Sequence, residues 1–169
     1  MAGVDAADEL TPLVDLAQRV GEALKAAGLT LSTAESCTGG LIGHVLTEVP
    51  GSSDYYLGGL ISYSDVLKQR GLGVDARVLE LHGAVSAQTA VGMAEGALAR
   101  YGTDLAVAVT GIAGPSGGSA AKPVGLTYVA VADKAGHEVQ RHQWSGDRHA
   151  NKVASASAAL TLLMERVAR

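Results

Sequence analysis

The chain has 169 residues, of which 47% are apolar and 18% charged, and this balance excludes a disordered protein. Its length fits one domain that can bury a sizeable core. The net charge of −4, with basic residues scattered along the chain, gives no electrostatic footprint for nucleic acid or an anionic membrane.

A single cysteine, Cys37, leaves no partner for an internal disulfide and suits a reducing compartment. The N-terminus is acidic where a secretory signal would carry Lys or Arg. No apolar run approaches the roughly 20 residues of a membrane span. We therefore expect a cytoplasmic protein with a flexible N-terminus over residues 1–8 and a single domain over 9–169.

The first half of the chain predicts alternating helices and strands. Thr11 and Pro12 are typical of a helix N-cap and first helical position, and apolar residues follow at helical spacing up to Gly28. The alternation over 29–34 predicts a short strand. The next predicted elements are a sharp turn over 36–40, a helix that Pro50-Gly51 ends, a strand over 57–63 and a short helix capped by Ser64.

The second half predicts two further helices capped by Asp75 and Ser86, then a central strand over 105–109 because that run is continuously apolar. Strands over 124–132 and 137–144 flank a turn, so they should pair antiparallel. The last predicted element is a C-terminal helix capped by Asp147. This order predicts an α/β fold: a three-layer α/β/α domain with a mixed, mostly parallel sheet and one antiparallel hairpin.

Residues 34–40, AESCTGG, lie at a predicted strand-to-helix junction. A hydroxyl at Ser36 would stand at the end of the sheet, and the amides that begin the helix suit a developing oxyanion. The arrangement resembles a nucleophile elbow without the G-x-S-x-G spelling. From spacing alone, a helix cap by Ser36 or Thr38 is the simpler interpretation. Cys37 is a rival nucleophile, although a lone cysteine beside a tight turn is more often packed.

Residues 61–68, ISYSDVLK, place Lys68 in the first turns of a predicted helix. A lysine serves as a general base when it is desolvated or lies near other cations. Its pKa must fall from about 10.4 to about 7–8, which requires roughly 3–5 kcal/mol from its surroundings. On the residues alone, a solvated surface lysine is the better interpretation.

Residues 110–118, TGIAGPSGG, follow the predicted central strand. Ligands of open α/β sheets bind beyond the carboxyl ends of strands, and free amides in this loop would suit a phosphate. The loop has neither the Walker nor the dinucleotide spacing, and a plain flexible connection is an equal alternative. Lys122 and Arg148 are candidates for binding a phosphate or carboxylate. The five histidines have no metal-ligand spacing.

Taken together, these segments resemble the CinA C-terminal-domain family. The resemblance runs from about residue 9 to the end of the chain, with several long motifs in the same order. Family members also occur fused behind another domain, and we expect this chain to be the stand-alone form. The matching stretches are AESCTGG at 34–40, SYS…K at 62–68, LHGAVS at 81–86, AVTGIAGPSGG at 108–118, KPVG at 122–125 and SGDR at 145–148.

The resemblance implies a nicotinamide-nucleotide amidase, because the enzymatic family members are nicotinamide mononucleotide deamidases. Such an enzyme converts nicotinamide mononucleotide to nicotinic acid mononucleotide and ammonia, with no metal and no cofactor. The Ser/Lys dyad of the family falls on Ser36 and Lys68, and its associated Tyr and Thr fall on Tyr63 and Thr110. This favours Ser36 as nucleophile over the capping role. The chain departs from the family at 65–67, where Asp-Val-Leu replaces the usual Asn-Glu-Ala.

The resulting hypothesis gives each candidate a role. Neutral Lys68 accepts the Ser36 proton, while Tyr63 and Thr110 position the amide or relay the proton. The backbone of Cys37, Thr38 and Gly39 holds the oxyanion. The residues expected to hold ribose and phosphate are Gly111, Gly114, Ser116, Gly117, Lys122 and Arg148.

We expect a small-molecule nucleotide as partner, no nucleic acid and no membrane, and a homo-oligomer. Two other classes remain open. One is a nucleotide-binding module without turnover, which predicts Lys68 exposed or far from Ser36. The other is a phosphoryl-transfer or phosphatase enzyme, which would normally need a metal. Within the hydrolase class, a related nucleotide is an alternative substrate.

Overall fold

Helices and strands alternate along the chain in the computed structural model, which describes residues 6–169. The helices are α1 (Ala6–Ala27), α2 (Leu41–Thr47), α3 (Asp65–Leu72), α4 (Ala76–His82), α5 (Ala87–Tyr101) and α6 (Arg148–Val167). The strands are β1 (Leu31–Glu35), β2 (Tyr56–Ile61), β3 (Leu105–Gly111), β4 (Leu126–Asp133) and β5 (Gly136–Gln143).

Four of the helices begin at the caps that the sequence predicts. In each case the side-chain oxygen of the cap accepts a hydrogen bond from an amide in the first turn, which satisfies one of the donors that a helix leaves unpaired. The caps are Ser64 for α3, Asp75 for α4, Ser86 for α5 and Asp147 for α6.

The five strands form one sheet in the order β2-β1-β3-β4-β5. β1 pairs in parallel with β2 and with β3, while β4 is antiparallel to β3 and β5. β4 is therefore the one strand of this sheet that runs against the other four, and β4 and β5 form the predicted hairpin. The predicted mixed α/β fold is confirmed.

Helices cover both faces of the sheet, which makes the three predicted layers. α1, α2 and α6 pack on the face that carries valines such as Val107 and Val131. α5, with the ends of α3 and α4, packs on the opposite face, where the strands present alanines such as Ala106 and Ala130. Successive strand residues point to opposite faces, and the alanine face leaves room for α5 to lie close to the sheet.

The first helix begins earlier than the sequence predicts. Thr11 and Pro12 are not its start, because α1 begins at Ala6 and contains Pro12. Leu10 packs against the core, so the apolar helical spacing continues upstream of the proline. Of the flexible N-terminus predicted over 1–8, residues 1–5 lie outside the described part of the chain and the rest belong to α1. Among the helices described, none has the length and apolar character to cross a membrane.

Candidate active site

The strand register aligns the ends of three parallel strands at one edge of the sheet. Glu35, the last residue of β1, pairs with Ile61 of β2 and with Val109 of β3. The Ser36 amide continues the ladder by donating to the Val109 carbonyl at 2.9 Å. Residues that follow these strands therefore meet at the carboxyl edge, where open α/β sheets bind ligands.

Ser36 and Lys68 come together at this edge although 32 residues separate them. Lys68 Nζ lies 3.3 Å from Ser36 Oγ and donates to the Ser62 carbonyl at 2.9 Å. The Lys68 side chain is 1% exposed, and Ser36 is 8% exposed. Lys68 is thus enclosed beside the serine hydroxyl, and the interpretation of a solvated surface lysine is wrong.

Burial changes the chemistry of Lys68. Because few solvent contacts stabilise the ammonium, the pKa of Lys68 is lowered from its ordinary value. The carboxylate of Asp65, whose Oδ1 lies 3.8 Å from Nζ, opposes that change because it favours the charged form. A lowered pKa increases the fraction of neutral amine near pH 7, which is the form that can accept a proton.

Cys37 is packed, as the sequence predicts. It is 7% exposed, and burial raises the pKa of its thiol to about 12. The thiol is therefore protonated near neutral pH, whereas the nucleophilic form of cysteine is the thiolate. Cys37 lies beside Ser36 without the chemistry of a rival nucleophile.

The amides at the start of α2 are not free for an oxyanion, which corrects part of the sequence hypothesis. The Gly39 amide donates to the Ser36 carbonyl at 3.0 Å, and the Thr38 hydroxyl donates to a Glu35 carboxylate oxygen at 2.7 Å. Within the described chain, the amides of Cys37 and Thr38 make no hydrogen bond to another residue. Thr38 is fully buried, so the Cys37 amide is the donor left for an oxyanion.

A cavity of about 250 Å³ opens beside the Ser36–Lys68 pair. Among its lining residues are Tyr63, Thr110 and six of the residues that we expected to bind substrate. Those six are Cys37, Gly111, Gly114, Ser116, Gly117 and Arg148. Thr38, Gly39 and Lys122 do not line it, and Lys122 Nζ instead donates to the His82 carbonyl.

Arg148 lies at the cavity with its guanidinium held in a fixed orientation. Nη1 donates to the Gly114 carbonyl at 2.7 Å, and Nη2 donates to the Tyr63 hydroxyl at 3.1 Å. Thr110, on the other side, donates its hydroxyl to the Ala84 carbonyl at 2.7 Å. These contacts tie the glycine-rich loop, the α6 N-terminus and the 83–86 segment together around one opening.

Two buried residues that shape the site were missed by sequence reasoning. Asn151 is 2% exposed, donates to the Ala113 carbonyl at 3.0 Å and also bonds Gly146, which fixes the loop against α6. Glu35 is also 2% exposed and caps α2 from the preceding strand. Only Glu35 left a signal in the sequence: an acidic residue shortly before a helix whose own cap, Gly40, has no side chain.

Within residues 6–169, no group of three or more His, Cys, Asp or Glu side chains comes together as a possible metal site. The fold and the cavity together define an α/β domain with a cavity at the carboxyl edge of its parallel strands, beside a serine and a buried lysine. The family model of the CinA C-terminal domain matches residues 13–167. The chain belongs to this family, as its motifs predict.

Known relatives agree with this assignment. A CinA-like protein of Salinibacter ruber is 51% identical over 147 residues, which are 87% of this chain and 36% of that protein. A CinA-like protein of Geobacter sulfurreducens is 51% identical over 140 residues, 83% of this chain and 34% of that protein. The chain thus spans about a third of the length of the curated relatives it matches.

Solved structures show the same fold. The competence/damage inducible protein CihA of Agrobacterium tumefaciens matches with a TM-score of 0.87 and 44% identity, over 93% of this chain and 96% of that one. A CinA superfamily protein of Klebsiella pneumoniae matches with a TM-score of 0.89 and 36% identity, over 92% of this chain and 97% of that one.

Proposed function

We propose that this chain is a nicotinamide-nucleotide amidase, which hydrolyses nicotinamide mononucleotide to nicotinic acid mononucleotide and ammonia in the cytoplasm. The observation that carries the proposal is the 3.3 Å contact between Ser36 Oγ and the Nζ of Lys68, a lysine whose side chain is 1% exposed. A serine hydroxyl is a weak nucleophile until a base takes its proton. A buried lysine with a lowered pKa supplies that base without a metal.

In the first half of the reaction, neutral Lys68 accepts the proton of Ser36 while Oγ attacks the carboxamide carbon. The carbonyl oxygen becomes an oxyanion, and we assign its stabilisation to the amide of Cys37, which lines the cavity and bonds no other described residue. The C–N bond then breaks, the proton on Lys68 passes to the leaving nitrogen, and ammonia departs. Ser36 is left as an ester of nicotinic acid mononucleotide.

In the second half, water replaces ammonia in the site. Lys68, neutral again, takes a proton from the water as its oxygen attacks the ester carbon. The ester bond breaks, and the proton returns to Ser36 Oγ. Tyr63 and Thr110 both line the cavity, and we assign to them the orientation of the carboxamide or the water.

The remote part of the nucleotide requires a cation, which Arg148 supplies at the cavity edge. Its guanidinium is oriented by Gly114 and Tyr63, so little side-chain freedom is lost when it binds an anion. Arg148 and Ala113 also line an adjoining cavity of about 540 Å³, which gives the ribose phosphate room to extend. Lys122 lines neither cavity, so no contact supports the phosphate-binding role that the sequence predicts for it.

A nucleotide-binding module without turnover receives no support from this geometry. That class predicts an exposed Lys68 or one far from Ser36, and neither is found. Binding alone does not require a lysine to be desolvated against a serine hydroxyl, since burial of a charged group costs free energy. The amidase is the function that explains why this cost is met here.

The direct test mixes the purified chain with nicotinamide mononucleotide and measures ammonia release, with and without a chelator. We expect release in both cases, loss with Ser36→Ala and substantial retention with Cys37→Ala. A Ser36→Ala protein with near-normal release would contradict the nucleophile, and equal loss in Cys37→Ala would favour a cysteine mechanism. Inactivation by the chelator, reversed by one divalent metal, would contradict the metal-independent reaction.

The role of Arg148 is tested by comparing nicotinamide mononucleotide with nicotinamide riboside, which lacks the phosphate. We expect kcat/KM to fall strongly when the phosphate is removed, because remote binding energy orients the reacting amide. Arg148→Ala should remove most of that difference between the two substrates. Equal efficiency on the two compounds in the unmodified protein would refute the anion site.

A further inference from the structure

The carboxylate of Glu35 lies directly before the proposed nucleophile and accepts four hydrogen bonds. Oε2 accepts from Thr38 Oγ1 at 2.7 Å, from the Gly40 amide at 3.0 Å and from the Ile42 amide at 3.1 Å. Oε1 accepts from the Gly43 amide at 2.9 Å. One buried side chain therefore joins the end of β1 to the beginning of α2.

The turn between these elements is clamped at both ends. Gly39 and Gly40 adopt φ values of 63° and 98°, which side chains rarely tolerate, and the Gly39 amide closes the turn on the Ser36 carbonyl at 3.0 Å. Glu35 accepts from the amides of Gly40, Ile42 and Gly43 at the helix start. Two amides of the turn bond no other described residue, those of Cys37 and Thr38, and Cys37 is next to the nucleophile.

We infer that Glu35 is a positioning residue for the proposed amidase reaction. By holding the 36–38 turn against α2, it keeps Ser36 Oγ within reach of Lys68 and leaves the Cys37 amide for the oxyanion. Glu35 does not line the cavity, so it acts through the turn and not through contact with substrate. The inference rests on the proposed function, because the reaction defines the oxyanion.

A positioning role requires an acceptor on both carboxylate oxygens. Glu35→Gln keeps the size of the side chain but turns one acceptor into an NH₂ group that faces N–H or O–H donors, so the turn must shift. A shift of about 1 Å at a reacting atom costs on the order of 100-fold in rate. Glu48→Gln is the matched control, because Glu48 is a half-exposed glutamate at the other end of α2.

The experiment measures kcat and KM for nicotinamide mononucleotide, with active sites counted by labelling Ser36 with a fluorophosphonate. For Glu35→Gln we expect kcat per labelled site to fall about 100-fold, KM to change by less than about threefold, and the pH midpoint of kcat/KM to stay in place. If Glu35 had a purely structural role, Glu35→Gln would have a lower melting temperature and fewer labelled sites, and kcat per labelled site would be unchanged. Values equal to those of Glu48→Gln would overturn the inference.

Thr38 provides a second test that is gentler on folding. Thr38→Val removes one of the four hydrogen bonds and should lower kcat about tenfold, and Thr38→Ser should restore it because the hydroxyl returns. Equal kcat values for the unmodified protein, Thr38→Val and Thr38→Ser would count against the inference. This test applies even if Glu35→Gln does not fold.

The rate of Ser36 labelling separates this inference from the proposed function. If the unmodified protein releases no ammonia, the proposed function fails. The positioning of the turn is then still measured by fluorophosphonate labelling, which uses the same Ser36 hydroxyl and Cys37 amide but no amide substrate. Labelling slower in Glu35→Gln than in Glu48→Gln would support the inference, and equal rates would overturn it.

Discussion

Lys68 is the residue whose substitution tests the dyad most directly. Lys68→Arg keeps a positive charge at the site but cannot give up a proton, because guanidinium stays protonated. We expect kcat to fall about 10²–10⁴-fold, almost as far as in Lys68→Ala. Ammonia release measures the effect, and Lys25→Arg makes the same change at an exposed lysine. An active Lys68→Arg protein would remove the general base from the mechanism.

Asp65 gives the dyad a pH dependence that can be predicted in sign. Its carboxylate lies 3.8 Å from Lys68 Nζ and opposes the lowering of the lysine pKa by burial. Asp65→Asn removes that charge, so the pKa of Lys68 should fall further and the neutral base should persist to lower pH. The rising limb of kcat/KM against pH should therefore move to lower pH.

The matched control for Asp65 is Asp15→Asn, an exposed aspartate on α1. If the rising limb of kcat/KM against pH stays in place or moves to higher pH in Asp65→Asn, Asp65 does not raise the pKa of Lys68. Asp65→Asn also introduces the residue that the family resemblance leads us to expect at position 65, so the comparison measures the effect of that departure.

At the scale of elements, α5 carries two glycines, four residues apart, with opposite surroundings. A Cβ on Gly92 would lie 3.6 Å from the Val74 methyl groups, an ordinary contact. A Cβ on Gly96 would lie 1.9 Å from the Leu72 carbonyl oxygen at the end of α3. The first position has room for alanine, whereas the second needs α3 and α5 to move apart.

Gly92→Ala should therefore raise the free energy of unfolding by up to about 1 kcal/mol, because alanine favours the helix. Gly96→Ala should lower it by about 1–3 kcal/mol, because the overlap is with backbone. Urea unfolding measures both. Gly96→Ala should also reduce activity, since Lys68 lies one turn before Leu72 on the displaced helix. A Gly96→Ala protein more stable than the parent would contradict the close approach.

Elements that depend on local signals were predictable from the sequence. Ser64, Asp75, Ser86 and Asp147 cap the helices that follow them, because a cap needs only its own first turn. The cap of α2 was not predictable in the same way. Glu35 reaches that helix from the preceding strand, and its role depends on how the turn folds back.

The burial of Lys68 also depends on tertiary structure. Its own helix gives no reason to enclose a lysine, and only the pairing of β1 with β2 brings Ser36 beside it. The family resemblance nevertheless predicted this pair, because the Ser/Lys dyad of the family falls on Ser36 and Lys68. The free amides were predicted only in part. The local pattern favours a free helix N-terminus, but the Ser36 carbonyl takes the Gly39 amide and Glu35 caps the start of α2.

At the scale of the whole molecule, the sheet separates the proposed active site from contacts that hold its elements together. Its carboxyl edge carries the cavity, while the opposite edge carries two aspartates that fasten elements together. Asp133 accepts two hydrogen bonds from Arg166 at 2.7 Å, which ties the β4–β5 turn to α6. Asp104 accepts from the amide and hydroxyl of Thr30 at 2.9 and 2.7 Å, which ties β3 to the start of β1.

The homo-oligomer that we expect from the sequence stays a prediction, which light scattering checks.

The hydrogen bonds that Asp133 and Asp104 accept predict that the protein loses stability in acid. The hydrogen bonds from Arg166 lower the pKa of Asp133, and those from Thr30 lower the pKa of Asp104. A group with a lowered folded-state pKa stabilises the fold fully above its ordinary pKa of about 3.9, and the contribution is lost as the pH falls through the lowered value. Urea unfolding at pH 7 and at pH 3 should therefore show a marked loss of stability at the lower pH.

Asn substitutions identify which groups cause this loss. Asp133→Asn and Asp104→Asn should each lower the free energy of unfolding at pH 7, because a neutral amide accepts fewer and weaker hydrogen bonds. Each should also lose less stability between pH 7 and pH 3 than the parent does, since the titrating group is gone. Asp15→Asn should leave both values unchanged. If Asp133→Asn and Asp104→Asn lose as much free energy of unfolding between pH 7 and pH 3 as the parent does, neither aspartate stabilises this edge of the sheet.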